Sequence, residues 1–165
     1  MRTILIYISL ILLIINCFDT NTSDTQKQTA LVSLVLTQNN SDLYKACHTF
    51  YETESSCTTT PTSVSTTCST TEMNRLKGGI SPAASQTDAI LTEYYKCWSI
   101  CNSTFNSDSK CLSNQFSSQE SYRAAQRITT TYESQKWEYC FTKCNDGQSD
   151  FTLLSGTTYP VDLMK

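Results

Sequence analysis

The chain is poor in the residues that most chemistry requires. It has one histidine, His48, so a Ser/His/Asp or Cys/His nucleophilic site would depend on that single ring. No nucleophile or orienting partner is marked beside it. Glycine is scarce at 4 residues, and no Gly-x-Ser-x-Gly, His-Glu-x-x-His or glycine-rich phosphate loop occurs. Carboxylate pairs such as Glu52/Glu54 and Glu133/Glu138 exist, at spacings any solvated helix carries. Charged residues make up 16 % of the chain, with a net charge of −3 and no basic run longer than Arg75 with Lys77. Phosphate binding needs a concentrated basic face, so nucleic acid is not an expected partner. Cys-x2-Cys pairs are missing, which removes the usual zinc signature. The sequence therefore predicts no catalytic residue, no metal and no cofactor, and a protein that is not an enzyme.

Long apolar runs are missing too. Ile4 to Ile15 is uncharged and apolar, follows Arg2, and gives way to Asn16, Asp19, Asn21 and Asp24. A membrane-spanning helix needs about 20 apolar residues, whereas about a dozen behind a basic start is the pattern of a secretory signal peptide. Residues 1–17 are read as that leader, with cleavage after Cys17. The last residues, Tyr159 to Lys165, hold no apolar run of a lipid-anchor signal and no retention tetrapeptide. The expectation is secretion, with no stable membrane anchor.

Cysteine is what the chain has in quantity. Cys47, Cys57, Cys68, Cys97, Cys101, Cys111, Cys140 and Cys144 follow the leader. Removing Cys17 leaves an even number, which suits four disulfides in an oxidising compartment. Exported chains also make sequons meaningful, and Asn21, Asn39 and Asn102 each begin an Asn-x-Ser/Thr triplet. The expected product is an extracellular glycoprotein.

Hydrophobic spacing predicts helices. Leu43, Tyr44, Cys47, Phe50 and Tyr51 share one helical face over 42–53. Ile90, Tyr94, Cys97, Trp98 and Cys101 do so in a helix capped by Ser85 or Thr87 and ending near Asn102. A third helix is expected from Ser118 to Cys144, with Ser117 and Glu120 at capping-box spacing. Thr129-Thr130-Thr131 weakens its middle, and Asn145-Asp146-Gly147 stops it. Between 53 and 71, 14 of 19 residues are Ser or Thr; hydroxyl side chains disfavour helix interiors. This reads as a solvated loop with the composition of an O-glycosylated stretch.

The fold expected is all-α, a small disulfide-stabilised domain of three to four helices with a Ser/Thr-rich loop. The domain is 41–146, preceded by a flexible segment or first helix over 18–40 and followed by an irregular tail over 147–165. Phe151 to Leu154 is expected to be extended.

Pairing of the cysteines stays open. Two Cys-x3-Cys pairs place sulfurs one turn apart on one helix face, which suits bridging to another element. An antiparallel double bridge would join Cys97 to Cys144 and Cys101 to Cys140; a parallel one would join Cys97 to Cys140 and Cys101 to Cys144. An unbroken third helix carries Cys140 about 33 Å from Ser118, so the antiparallel arrangement strains the connection unless the threonine triplet breaks the helix. Otherwise Cys140 or Cys144 meets Cys47 or the Cys57/Cys68 loop, Cys101 closes on Cys111, and Cys57 closes on Cys68.

Three functions compete. The first is a secreted, non-enzymatic binding or interaction protein for an extracellular protein. The second is a carrier of a small apolar ligand in an interhelical cavity lined by Tyr94, Trp98 and Tyr132. The third is a secreted hydrolase using His48 with carboxylates. Core packing is the simpler account of the aromatics, since they bury large area.

Overall fold

A computed structural model describes Lys27, residues 41–60 and 62–105, Cys111, and residues 116–128 and 132–160, with the side chains of 132–134 excepted. The chain divides after Asn40, and Ser41–Lys165 is one compact unit. The leader, the 18–40 segment, Asn21, Asn39, the Thr129–Thr131 triplet and the Tyr132 side chain lie outside the described residues. No described helix is long and apolar enough to cross a membrane.

The fold is all-α, and no strand occurs among the described residues. Within the described residues of 41–160 six helices follow one another: α1 Asp42–Ser55, α2 Val64–Thr67, α3 Thr70–Lys77, α4 Asp88–Phe105, α5 Gln119–Arg127 and α6 Tyr132–Asn145. Short 3-10 turns occupy Ala83–Ser85 and Thr152–Leu154. Helix α1 begins where expected. Ser41 Oγ accepts the Tyr44 N–H at 3.1 Å, satisfying one of the orphan donors of the first turn. Thr87 Oγ1 accepts from the Ile90 N–H at 3.3 Å at the start of α4.

Three boundaries differ from the expectation, each for a local reason. The Ser/Thr-rich stretch is not one loop. It holds α2 and the first turn of α3, where Ser69 caps by accepting the Glu72 N–H. Serine and threonine that disfavour helix interiors are good at such caps. The expected long helix is two: α5 ends at Arg127, with Ile128 already extended, and α6 begins at Tyr132. The cap of α5 is one residue later than expected: Ser118 Oγ accepts the Ser121 N–H, and Ser121 Oγ accepts the Ser118 N–H. A serine hydroxyl thus fills the role assigned to Glu120.

Helix α4 is the centre of the unit and packs against both α1 and α6, while α5 packs against α6 and α1. Phe50, Leu91, Tyr94, Tyr95, Trp98 and Leu154 are fully buried. The tail is packed, not loose. Gly147 ends α6 at φ 63°, and a Cβ there would collide with the carbonyl oxygens of Leu154 and Thr157, so only glycine lets the chain turn this closely. The chain then folds back: Tyr94 Oη and Thr157 Oγ1 share a 2.7 Å hydrogen bond, and Thr158 pairs with Ser81. Phe151 leads into a 3-10 turn in place of the expected extended piece.

Candidate functional site

The eight cysteines from Cys47 to Cys144 are all paired. The bridges are Cys47–Cys68, Cys57–Cys111, Cys97–Cys144 and Cys101–Cys140. The antiparallel double bridge between α4 and α6 is therefore the arrangement adopted, because two helices replace the one that made it awkward. The pairings Cys57–Cys68 and Cys101–Cys111 are not formed, and neither Cys140 nor Cys144 meets Cys47. Cys47 projects from the buried face of α1 and takes Cys68, which lies between α2 and α3. Sulfurs of Cys101, Cys140 and Cys144 all lie within 4.8 Å of one another. Each is spent in a disulfide, whereas metals are ligated by thiolates.

Tyr94 and Trp98, expected at a ligand cavity, are core residues with zero exposure. The space around them is filled by aromatic rings: Trp98 lies 5.8 Å from Phe50, 5.5 Å from Tyr95, 4.9 Å from Tyr159 and 6.4 Å from Phe141. Such offset and edge contacts stabilise beyond simple burial. Beside Trp137, between α5 and α6, about 20 Å³ of space remains, the size of one water and too small for an apolar ligand.

His48 stands on α1 with its Nδ1 3.2 Å from Glu52 Oε2, both side chains well exposed. This is an i,i+4 surface pair, and the nearest ring is Tyr44 at 6.1 Å. The pair lies on the solvent-exposed side of α1.

A buried polar cluster, which no local pattern announces, lies between α1, α4, α5 and α6. Arg123 donates from Nε to Glu54 Oε1 at 2.8 Å and from Nη2 to Glu54 Oε2 at 2.7 Å. Glu54 is fully buried. Burial pushes its carboxyl above the ordinary range, with the Arg123 charge and hydrogen bond pulling it back. Burial would lower Arg123, but Glu54 more than offsets this and holds the guanidinium firmly protonated. The guanidinium also lies 5.7 Å from the Phe50 ring centre and 5.9 Å from that of Tyr51.

Asn102, expected as a glycan acceptor, completes the cluster. It is fully buried. Its Nδ2 donates to Thr53 Oγ1 at 3.1 Å, and its Oδ1 accepts from Tyr122 Oη at 3.1 Å and Trp137 Nε1 at 2.8 Å. The nitrogen that would carry a sugar is thus enclosed and occupied.

The open face of the unit is elsewhere. Residues 42, 45, 46 and 49 of α1 and 96, 99, 100 and 103 of α4 repeat at i, i+3, i+4, i+7 and line a groove of about 730 Å³ with Phe151. A second groove of about 420 Å³ runs between α4, α6 and the tail, with Ile100, Cys140, Lys143, Asp150 and Phe151 in its walls. Ile100 and Phe151 belong to both. Ile100 is 52 % exposed, and Tyr139 on α6 is 62 % exposed beneath the Lys143 ammonium, 4.7 Å from its ring centre. Sequence reasoning overlooked Ile100 because attention to the face of Cys97 and Cys101 hides the residue between them. Its signal was an isoleucine off the buried stripe of an otherwise well-ordered amphipathic helix.

Comparison with protein-family models, curated proteins and solved structures finds no match for this chain.

Proposed function

We propose that the protein is a secreted, cysteine-rich, non-enzymatic binding protein that meets an extracellular protein through the face of α4, α6 and the tail. The observation that carries this reading is Ile100. It is a large apolar side chain held half in water on a helix bridged twice to its neighbour, and it forms a common wall of two grooves with Phe151. Exposed apolar groups gathered in grooves with a polar rim fit partner recognition. A scaffold tied by four disulfides loses little freedom on binding, which favours affinity. Secretion is supported by the leader pattern of residues 1–17 and by the pairing of all eight described cysteines. Glycans then belong at Asn21, Asn39 or the Ser/Thr-rich stretch.

Two measurements test the reading. Sequencing the N-terminus of the protein recovered from culture medium should give a start after Cys17, and retention in the cell pellet overturns secretion. For the partner, a photo-cross-linker is placed at position 100 and, as a control, at exposed position 74 on α3. Incubation with extracellular fluid from the source should give a discrete adduct from position 100 alone. Unlabelled wild-type protein should compete it away and Ile100→Asp should not. Equal adducts from both positions, or equal competition by Ile100→Asp, overturns the binding face.

A further inference from the structure

The two bridges between α4 and α6 bring sulfurs of different disulfides side by side. Cys101 Sγ, bonded to Cys140, lies 3.7 Å from Cys144 Sγ, which is bonded to Cys97. That separation is a few tenths of an ångström beyond the near-attack range of about 3–3.5 Å. Access to the pair is uneven. Cys97, Cys140 and Cys144 all line the second groove, but Cys97 and Cys144 are buried there, Cys101 is fully buried away from it, and Cys140 alone is half-buried. Lys143 stands in the same groove, and a nearby cation favours the thiolate form that attacks. Asp150 is the opposing charge there.

We propose that this groove is a thiol–disulfide exchange site, entered at Cys140 and relayed to Cys97, whose substrate is an external thiol. The incoming thiolate attacks Cys140 Sγ, because an attack on a disulfide falls on the sulfur it can reach. A mixed disulfide forms on Cys140, and the electron pair of the broken bond leaves on Cys101. The Cys101 thiolate then attacks Cys144 Sγ. A Cys101–Cys144 bond forms, the Cys97–Cys144 bond breaks, and the electron pair leaves on Cys97, which takes a proton from water. Two disulfides and one thiol are present before and after, so no outside oxidant or reductant is required. The exchange is stoichiometric, not a turnover, and captures the thiol compound on Cys140. It goes beyond the partner reading and survives that reading's failure, since the probe is a small thiol.

The probe is reduced glutathione, added to the folded full-length protein. Samples are quenched in acid at intervals, unfolded and alkylated with N-ethylmaleimide at low pH, then mapped as unreduced peptides. The expected products are glutathione on Cys140, maleimide on Cys97 and a new Cys101–Cys144 peptide, all rising together. Maleimide on Cys101 with Cys97–Cys144 intact overturns the relay. Glutathione on Cys101, or no glutathione on this pair, overturns the entry point. In Cys97→Ala/Cys144→Ala the acceptor is gone, and the maleimide should shift to Cys101. If that variant does not fold, the wild-type map alone decides.

Discussion

Helices α5 and α6 are neighbours in the chain and serve the same core, but they are fastened differently. Helix α6 is joined to α4 by two disulfides and contributes Trp137 and Phe141, whose rings stack at 4.0 Å. Helix α5 has no disulfide of its own. It is docked by the Arg123–Glu54 pair and by Tyr122, whose hydroxyl donates to Asn102. Its other buried side chain, Gln126, finds no hydrogen-bond partner among the described residues for either amide atom, and an unpaired buried polar group costs free energy. One helix is thus secured by closing loops in the unfolded chain, the other by geometry that exists only in the fold. The first kind of fastening tolerates loss of contacts; the second fails when a single partner is removed.

Removing the bridges should give the largest effect. The two bridges span 47 and 39 residues, and loop-closure entropy assigns about 4 kcal/mol to the first closure and about 2–3 kcal/mol to the second. Replacing Cys97, Cys101, Cys140 and Cys144 together by alanine should therefore cost about 6 kcal/mol in guanidinium unfolding, enough to unfold many domains. Either bridge removed alone should cost about 2–3 kcal/mol, so the pair loses more than twice one single. Strictly additive costs would show that the bridges do not share a loop.

On the α5 side, Glu54→Leu leaves the Arg123 guanidinium buried without its carboxylate. Breaking one partner of such a pair costs about 3–5 kcal/mol, to be read as a fall in the guanidinium midpoint. Glu54→Leu with Arg123→Met should recover most of the loss, because no buried charge then remains. A double variant no better than the single would mean that shape, not charge, fixes α5.

These two fastenings were unequally legible in the sequence. The Cys-x3-Cys pairs declare facing sulfurs through helical spacing alone, and the antiparallel pairing was visible as one geometry among several. It is masked by one assumption, that Ser118 to Cys144 is continuous, whereas α5 ends at Arg127. The helices α1 and α4 were readable because Leu43, Cys47, Phe50 and Tyr94, Cys97, Trp98 recur at helical spacing. Glu54 and Arg123 are 69 positions apart, and no local pattern connects residues so distant. Asn102 looked like a surface sequon because three letters say nothing of burial. The grooves arise from the alignment of α1, α4 and α6, and that alignment is a tertiary fact.

Asn102 gives the next test. Asn102→Ala leaves Tyr122 Oη and Trp137 Nε1 without their acceptor, which should cost about 1–3 kcal/mol, measured by the same unfolding curve. In the wild-type protein from medium, the peptide holding Asn102 should have its unmodified mass. A glycan there would be incompatible with the enclosed side chain and would overturn the placement of α4 against α5.

The smallest effect sharpens the comparison most, because it keeps the chemistry of Arg123–Glu54 but sets it at the surface of a single helix. On α3, Arg75 donates from Nε to Glu72 Oε2 at 2.8 Å and from Nη2 to Glu72 Oε1 at 2.5 Å, the same two-toothed arrangement. Here Arg75 is half-exposed. The hydrogen bond from Arg75, aided by its charge, holds the Glu72 carboxyl below its ordinary value of 4.5 against a slight burial penalty. A carboxyl lowered in the fold stabilises above its unfolded value, and that contribution is lost as pH falls through the folded value. Glu72→Gln should therefore flatten the stability curve below about pH 4.5, where linkage to this carboxylate operates. At pH 7 it should change stability by less than about 1 kcal/mol, and less again in high salt. A loss at pH 7 as large as that of Glu54→Leu would show that depth does not separate the two pairs.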